Sequence, residues 1–140
     1  MQDRPSAKDL LEALADFLER EAVPVVEDPR LRFRLMIAGN LARILEREAD
    51  LEETLLQSER KRLLPLLGKG LPGTDPSGSQ LREEVLNLNQ DFGRRIRAGE
   101  MDMGPAAQKA FAHALATLEG KLAVANPKEL EKMKAERKKS

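Results

Sequence analysis

Arg94, Arg95 and Arg97 place three guanidinium groups within about one turn near the end of a helical segment. Such a cluster can grip a phosphate or a carboxylate through forked hydrogen bonds. Arg43 and Arg47, one turn apart on another helix, are further cations of the same type. Arginines close to a helix C-terminus also complement the helix dipole, so a solvated basic surface is the plainer reading of the cluster. Asn40 and Asn89 stand at the margins of apolar helical stripes, where an amide is half buried and must find hydrogen-bond partners. Each either locks helix packing by bonding a neighbouring carbonyl or receives a ligand, and satisfied structural amides are the rule for buried polar groups.

The remaining reactive side chains have no visible partners. His113 is the only histidine and projects, with Ala106 and Thr117, away from the apolar stripe of its helix, which reads as a solvated surface histidine. With no cysteine and no second histidine, no nucleophile–base pair or zinc site is legible, and no catalytic residue, metal or cofactor is expected. The acidic pairs Glu46 with Glu48, Glu52 with Glu53 and Glu83 with Glu84 are adjacent or face apart. "GKG" at 68–70 lacks the preceding strand and following Ser or Thr of a phosphate loop.

Lysine plus arginine and aspartate plus glutamate number 24 each, so no net field draws the chain to nucleic acid or an anionic membrane. No Trp, no Tyr and four Phe leave little surface for stacking bases. The absence of cysteine leans towards a reducing compartment. "MQDRPSAKDLLEAL" carries an acid at Asp3 and no apolar h-region, and no run approaches the ~20 apolar residues of a membrane span, so a cytoplasmic location is expected.

The elements that position these residues are helical throughout. Ser6 caps a first helix with Asp9 at its N3 position, and Pro24 ends it. Asp28 and Pro29 open a second helix running to about Ala49, and Asp50 with Glu53 reads as a capping box that starts a third. Pro65 and Gly68 close the third, and "GKGLPGTDPSGS" at 68–79 is a loop. A fourth helix carries Leu81, Val85, Leu88, Phe92 and Ile96 and stops at Gly99. A fifth begins at Pro105 and buries Ala107, Phe111, Ala114, Leu115, Leu118 and Leu122. Asn126, Pro127 and Glu129 start a short final helix fraying into a basic tail. The expected fold is all-α, an antiparallel helical bundle of five main helices plus a short C-terminal helix, with residues 1–127 as one domain and 128–140 as a charged helix and tail.

At 100° per residue the second helix is apolar over roughly 200°, from Phe33 through Ile37, Leu41 and Leu45 to Ala42 and Leu35, which predicts that it lies at the bundle centre. Gly39, beside the small edge formed by Ala38 and Ala42, predicts a close helix–helix contact that offsets the ~1 kcal/mol propensity cost of glycine.

Four segments, "MQDRPSAKDLLEALADFLEREAVP", "LRFRLMIAGNLARILERE", "LNQDFGRRIRAGEMD" and "KLAVANPKEL", resemble in their order and spacing the bacterial domain-of-unknown-function family 6285, from Met1 to about Leu130. The family's recurring positions correspond to Arg4, Pro5, Phe33, Asn40, Asn89, Ile96 to Gly99, Asp102, and Leu122 to Pro127. The chain departs from the pattern at Glu129, where an aromatic is common, and in its longer charged tail. The resemblance brings no catalytic residues. It implies genes that stand beside aminoglycoside-phosphotransferase-like kinases and acyl-CoA dehydrogenase-like enzymes. The reading that follows is a non-catalytic accessory protein binding such a kinase, or less favourably the dehydrogenase. The alternative is a small-molecule binder whose acyl or phosphorylated ligand meets Asn40, Asn89, Arg94, Arg95 and Arg97. An enzyme acting alone comes third.

Overall fold

The computed structural model describes residues 4–139; Asp3 and the last tail residue, Ser140, lie outside them. The chain is all-α, with no strand among the described residues. The helices are α1 (Ala7–Asp16), continued by a π-helical turn (Phe17–Ala22) into α2 (Val23–Val25), then α3 (Pro29–Leu66), α4 (Gly78–Arg97), α5 (Gly104–Ala125) and the short α6 (Pro127–Arg137).

Local chemistry explains most of the boundaries. Ser6 and Asp9 form a reciprocal capping box at the start of α1, the hydroxyl accepting from the Asp9 amide at 3.2 Å and the carboxylate from the Ser6 amide at 2.9 Å. The Ser6 amide holds the Asp9 carboxyl below its usual range. Asn126 caps α6 by accepting from the Glu129 amide. Gly68 (φ 70°) and Gly99 (φ 78°) adopt the left-handed conformation that terminates α3 and α4. After Pro65, the amides of Gly68 and Lys69 return to the carbonyls of Pro65 and Leu64 at 3.1 and 2.8 Å.

Two boundaries differ from the sequence expectation. Pro24 does not end the first helical run, because the chain widens into the π turn ahead of it and the Val23 amide bonds the Leu18 carbonyl. A proline cannot donate to the carbonyl four residues back and crowds it; a π turn is one way to reroute those bonds. The capping-box pattern at Asp50 does not start a new helix. Asp50 is paired with Lys8 at 3.0 Å, and α3 runs through 50–53 unbroken. A cap is required only where amides lack upstream carbonyls, and here the preceding turn supplies them.

The chain divides into two compact units, Met1–Leu51 with Ala123–Ser140, and Glu52–Leu122. In the first unit α1 lies antiparallel on the early part of α3: Lys8 meets Asp50, and Arg43 meets Asp16 and Glu19. Gly39 is the contact point that the sequence suggests, since a methyl group added there would lie 3.2 Å from Glu19 Cγ and 3.7 Å from Leu18 Cβ. Ala15, Gly39, Ala42 and Leu130 are buried. Arg47 donates to the Val124 carbonyl.

The second unit has a denser core of Leu63, Leu64, Leu67, Leu81, Val85, Leu88, Phe92 and Ala110. The segment after α3 runs back along that helix, with Asp75 at Arg60 and the Pro76 carbonyl at Gln57. The following α4 therefore runs in the same direction as α3, Glu52 meeting Arg82 and Glu59 meeting Asn89. Helix α5 runs antiparallel to α3, with Gly120 against Leu55. Arg60, 1% exposed, lies 2.9 Å from both Asp75 and Glu84, tying the returning segment and α4 to α3.

Candidate interaction surfaces

The five candidate residues meet different fates. Asn89 is half buried and donates to Glu59 Oε1 at 2.8 Å and to the Val85 carbonyl at 3.1 Å, so its amide joins α4 to α3. Asn40 is exposed on α3, not half buried as its position suggested, because the stripe beside it is itself open. Arg94 and Arg95 turn to Asp91, which also pairs with Lys69 at 3.1 Å. The Lys69 hydrogen bond, with the charges of Arg95 and Arg94 behind it, lowers the Asp91 carboxyl below its usual range. Arg97 folds back over Gly93, its Nη1 3.5 Å from where a β-carbon would stand. Asn89, Gln90, Gly93, Arg94 and Arg97 line a shallow hollow of about 460 Å³. Arg43 is taken up by Asp16, Glu19 and Glu46.

His113 is buried, at 4% exposure, and not solvated as expected. Its ring stands edge-on to Phe92 with centroids 5.1 Å apart. Burial first, and then the charge of Arg62, push its pKa down, with Glu59 opposing. The reason is a rotation of α5: its inner face carries Ala106, Ala110, His113, Thr117 and Gly120, and of the apolar stripe read from the sequence Phe111, Ala114 and Leu118 turn outward while Ala107, Leu115 and Leu122 stay half buried. Phe111 is 70% exposed and Leu118 46%, with Ala114 exposed between them. Small residues on the inner face let α5 approach α3 closely, as Gly120 does against Leu55.

A similar inversion occurs on α3. Its small edge, Gly39 and Ala42, is buried, but Ile37, Leu41 and Leu45 are 44%, 53% and 49% exposed, so they do not form the centre of a bundle. Leu31, Phe33 and Met36 are exposed as well. At 100° per residue Gly39, Arg43 and Asp50, which face α1, lie roughly opposite Leu41. α1 and the π turn that continues it have an open stripe of their own in Leu10, Leu14 and Phe17. Exposed apolar faces of this kind are candidate interaction surfaces. Residue type and spacing located these stripes; which side of each helix meets its neighbour depended on the small residues opposite, a weaker signal.

Among the described residues no group of three or more His, Asp or Glu side chains is arranged to hold a metal ion, and no helix is long and apolar enough to cross a membrane.

Fold and surface together define a small all-α protein that presents apolar helix faces to its surroundings. The model of the family described as domain of unknown function (DUF6285) matches residues 24–129, and the chain belongs to that family. No curated protein and no solved structure matches it.

Proposed function

We propose that this protein is a non-catalytic, cytoplasmic accessory protein that docks on a larger enzyme through the outer face of α5. The observation that carries the reading is the stripe of Phe111, Ala114 and Leu118, which lies open although the opposite face of the same helix is packed. A helix with residues at i, i+3 and i+7 exposed in this way suits insertion into an apolar groove of a partner. Phe111 is the expected anchor, since aromatic side chains seated in pockets dominate such interfaces. The gene neighbours implied by the family resemblance favour an aminoglycoside-phosphotransferase-like kinase as the partner, with an acyl-CoA dehydrogenase-like enzyme second.

The test is capture of the tagged full chain from its own organism, read by mass spectrometry, beside a Phe111→Glu variant. The kinase should co-purify with the unaltered protein and be lost with the variant, whose fold should survive because the side chain is largely in solvent. Recovery of neither enzyme, or equal recovery by the variant, overturns the proposal.

The hollow lined by Asn89, Arg94 and Arg97 supports a second reading, a small acyl or phosphorylated ligand held at α4. Thermal shift with acyl-CoA and with inorganic phosphate tests it. A rise in melting temperature that Arg97→Ala abolishes favours ligand binding; no rise removes that reading.

A further inference from the structure

We infer that the open face of α3 pairs with the same face of a second copy of this chain, antiparallel about a two-fold axis at Leu41. The face is apolar in its middle, through Ile37, Leu41 and Leu45, and charged at its two ends with opposite signs. Arg34 lies seven residues before Leu41 and Glu48 seven after, a spacing that keeps each within about 20° of Leu41 on a helix. Arg34 and Glu48 are both exposed, and neither forms an ion pair among the described residues.

The order of these residues selects the partner and its direction. With the axis at Leu41, Arg34 of one copy meets Glu48 of the other at both ends, Ile37 meets Leu45, Ala38 meets Ile44, and Leu41 meets itself. A two-fold interface must be self-complementary in this sense. Parallel pairing would set Arg34 against Arg34 and Glu48 against Glu48, and like charges in register are unfavourable.

Area supports the same occupant. Side chains the size of Leu and Phe left about half exposed offer roughly 80–100 Å² each, so Leu31, Phe33, Ile37, Leu41 and Leu45 with the flanking Arg34 and Glu48 offer roughly 560–700 Å², towards the small end of the range around the ~800 Å² per partner of a standard interface. Asn40, at the margin of the stripe, falls where such an interface has its polar rim. The face lies opposite the one that α1 covers, so pairing needs no rearrangement of the α1–α3 contact. It does not depend on the proposed function.

The chain contains no cysteine, so single introduced cysteines report pairing directly. By sedimentation velocity the full chain at tens of micromolar should have twice the mass of one chain, and Leu41→Glu should be a monomer with an unchanged helical spectrum. Under mild oxidation L41C should cross-link to itself. R34C alone should not, because antiparallel copies hold these positions about 20 Å apart, whereas a mixture of R34C and E48C should. Arg34→Glu or Glu48→Arg should each weaken self-association at least tenfold at low salt, and the double exchange should restore it. A monomeric full chain, self-cross-linking of R34C, or a charge-exchanged double variant no better than the singles overturns the inference. Association only in the presence of another protein overturns it too.

Discussion

The Asn89 carboxamide bridges two helices, donating to Glu59 on α3 at 2.8 Å while its second bond stays within α4, on the Val85 carbonyl. Removing it leaves a half-buried carboxylate without that donor. Asn89→Ala should therefore cost about 1–3 kcal/mol in urea denaturation. Asn40→Ala, at an exposed site, should change stability by no more than about 0.5 kcal/mol.

Arg60 is the buried cation of the second unit, and Asp75 and Glu84 both depend on it. Arg60→Ala should cost about 2–3 kcal/mol, less than the ~3–5 kcal/mol of a fully buried pair because both acids reach solvent. The returning segment should also become a protease target, since Asp75 loses its tether to α3. Limited proteolysis mapped by mass spectrometry checks the cleavage site, and Arg60→Met should recover part of the stability through packing alone.

His113 gives the stability a pH dependence of defined sign. Its pKa in the folded chain lies below the ordinary 6.5, so between that lowered value and about 6.5 the unfolded chain binds more protons. Stability should be flat above that range and fall as pH drops through it. The carboxyls of Asp9, Asp16, Glu52 and Asp91 are shifted down, so their own losses come at lower pH. Denaturation midpoints between pH 5 and 8 for the unaltered chain and His113→Gln check this; the variant should lose the slope.

Gly39 separates size from propensity. Alanine brings a better helix former to α3 but requires Glu19 Cγ, 3.2 Å from the added methyl, to shift slightly, so Gly39→Ala should be neutral within about 1 kcal/mol. Gly39→Leu has nowhere to go against Leu18 and Glu19 and should cost about 1–3 kcal/mol. Thermal denaturation of the pair distinguishes a close contact from a glycine that merely lowers helicity.

The helical character of the chain, the caps at Ser6 and Asn126, the stop at Pro65 and Gly68, and the α4 core residues Leu81, Val85, Leu88 and Phe92 were legible because each rests on local chemistry or a strict period. Gly39 was legible as a contact because glycine in a helix interior needs a compensating reason. The orientation of α3 and α5 was not. The early part of α3 packs by Gly39 and Ala42 and α5 by a face that includes Ala110 and Gly120, each leaving larger residues such as Leu41 and Phe111 outside. An apolar stripe records residue type and spacing, not which side of the helix meets its neighbours in the chain. His113 was misplaced for that reason: its surroundings follow from the rotation of α5. The site residues divided similarly, Asn89 being half buried as its position at the stripe margin suggests and Asn40 lying beside a face whose exposure no local rule reveals.

The π turn at Phe17–Ala22 bears on inheritance as well as on geometry. A π turn holds one residue more than the α-turn it replaces, so the run from α1 into α2 has already absorbed an extra residue ahead of Pro24. Among related chains, one-residue gaps and insertions should collect between positions 20 and 23, where loss or gain is taken up by tightening or widening that turn. They should be absent between Ala7 and Asp16, where a shift of one position would swing Ala15 and Asp16 away from α3 and undo the grip on Arg43.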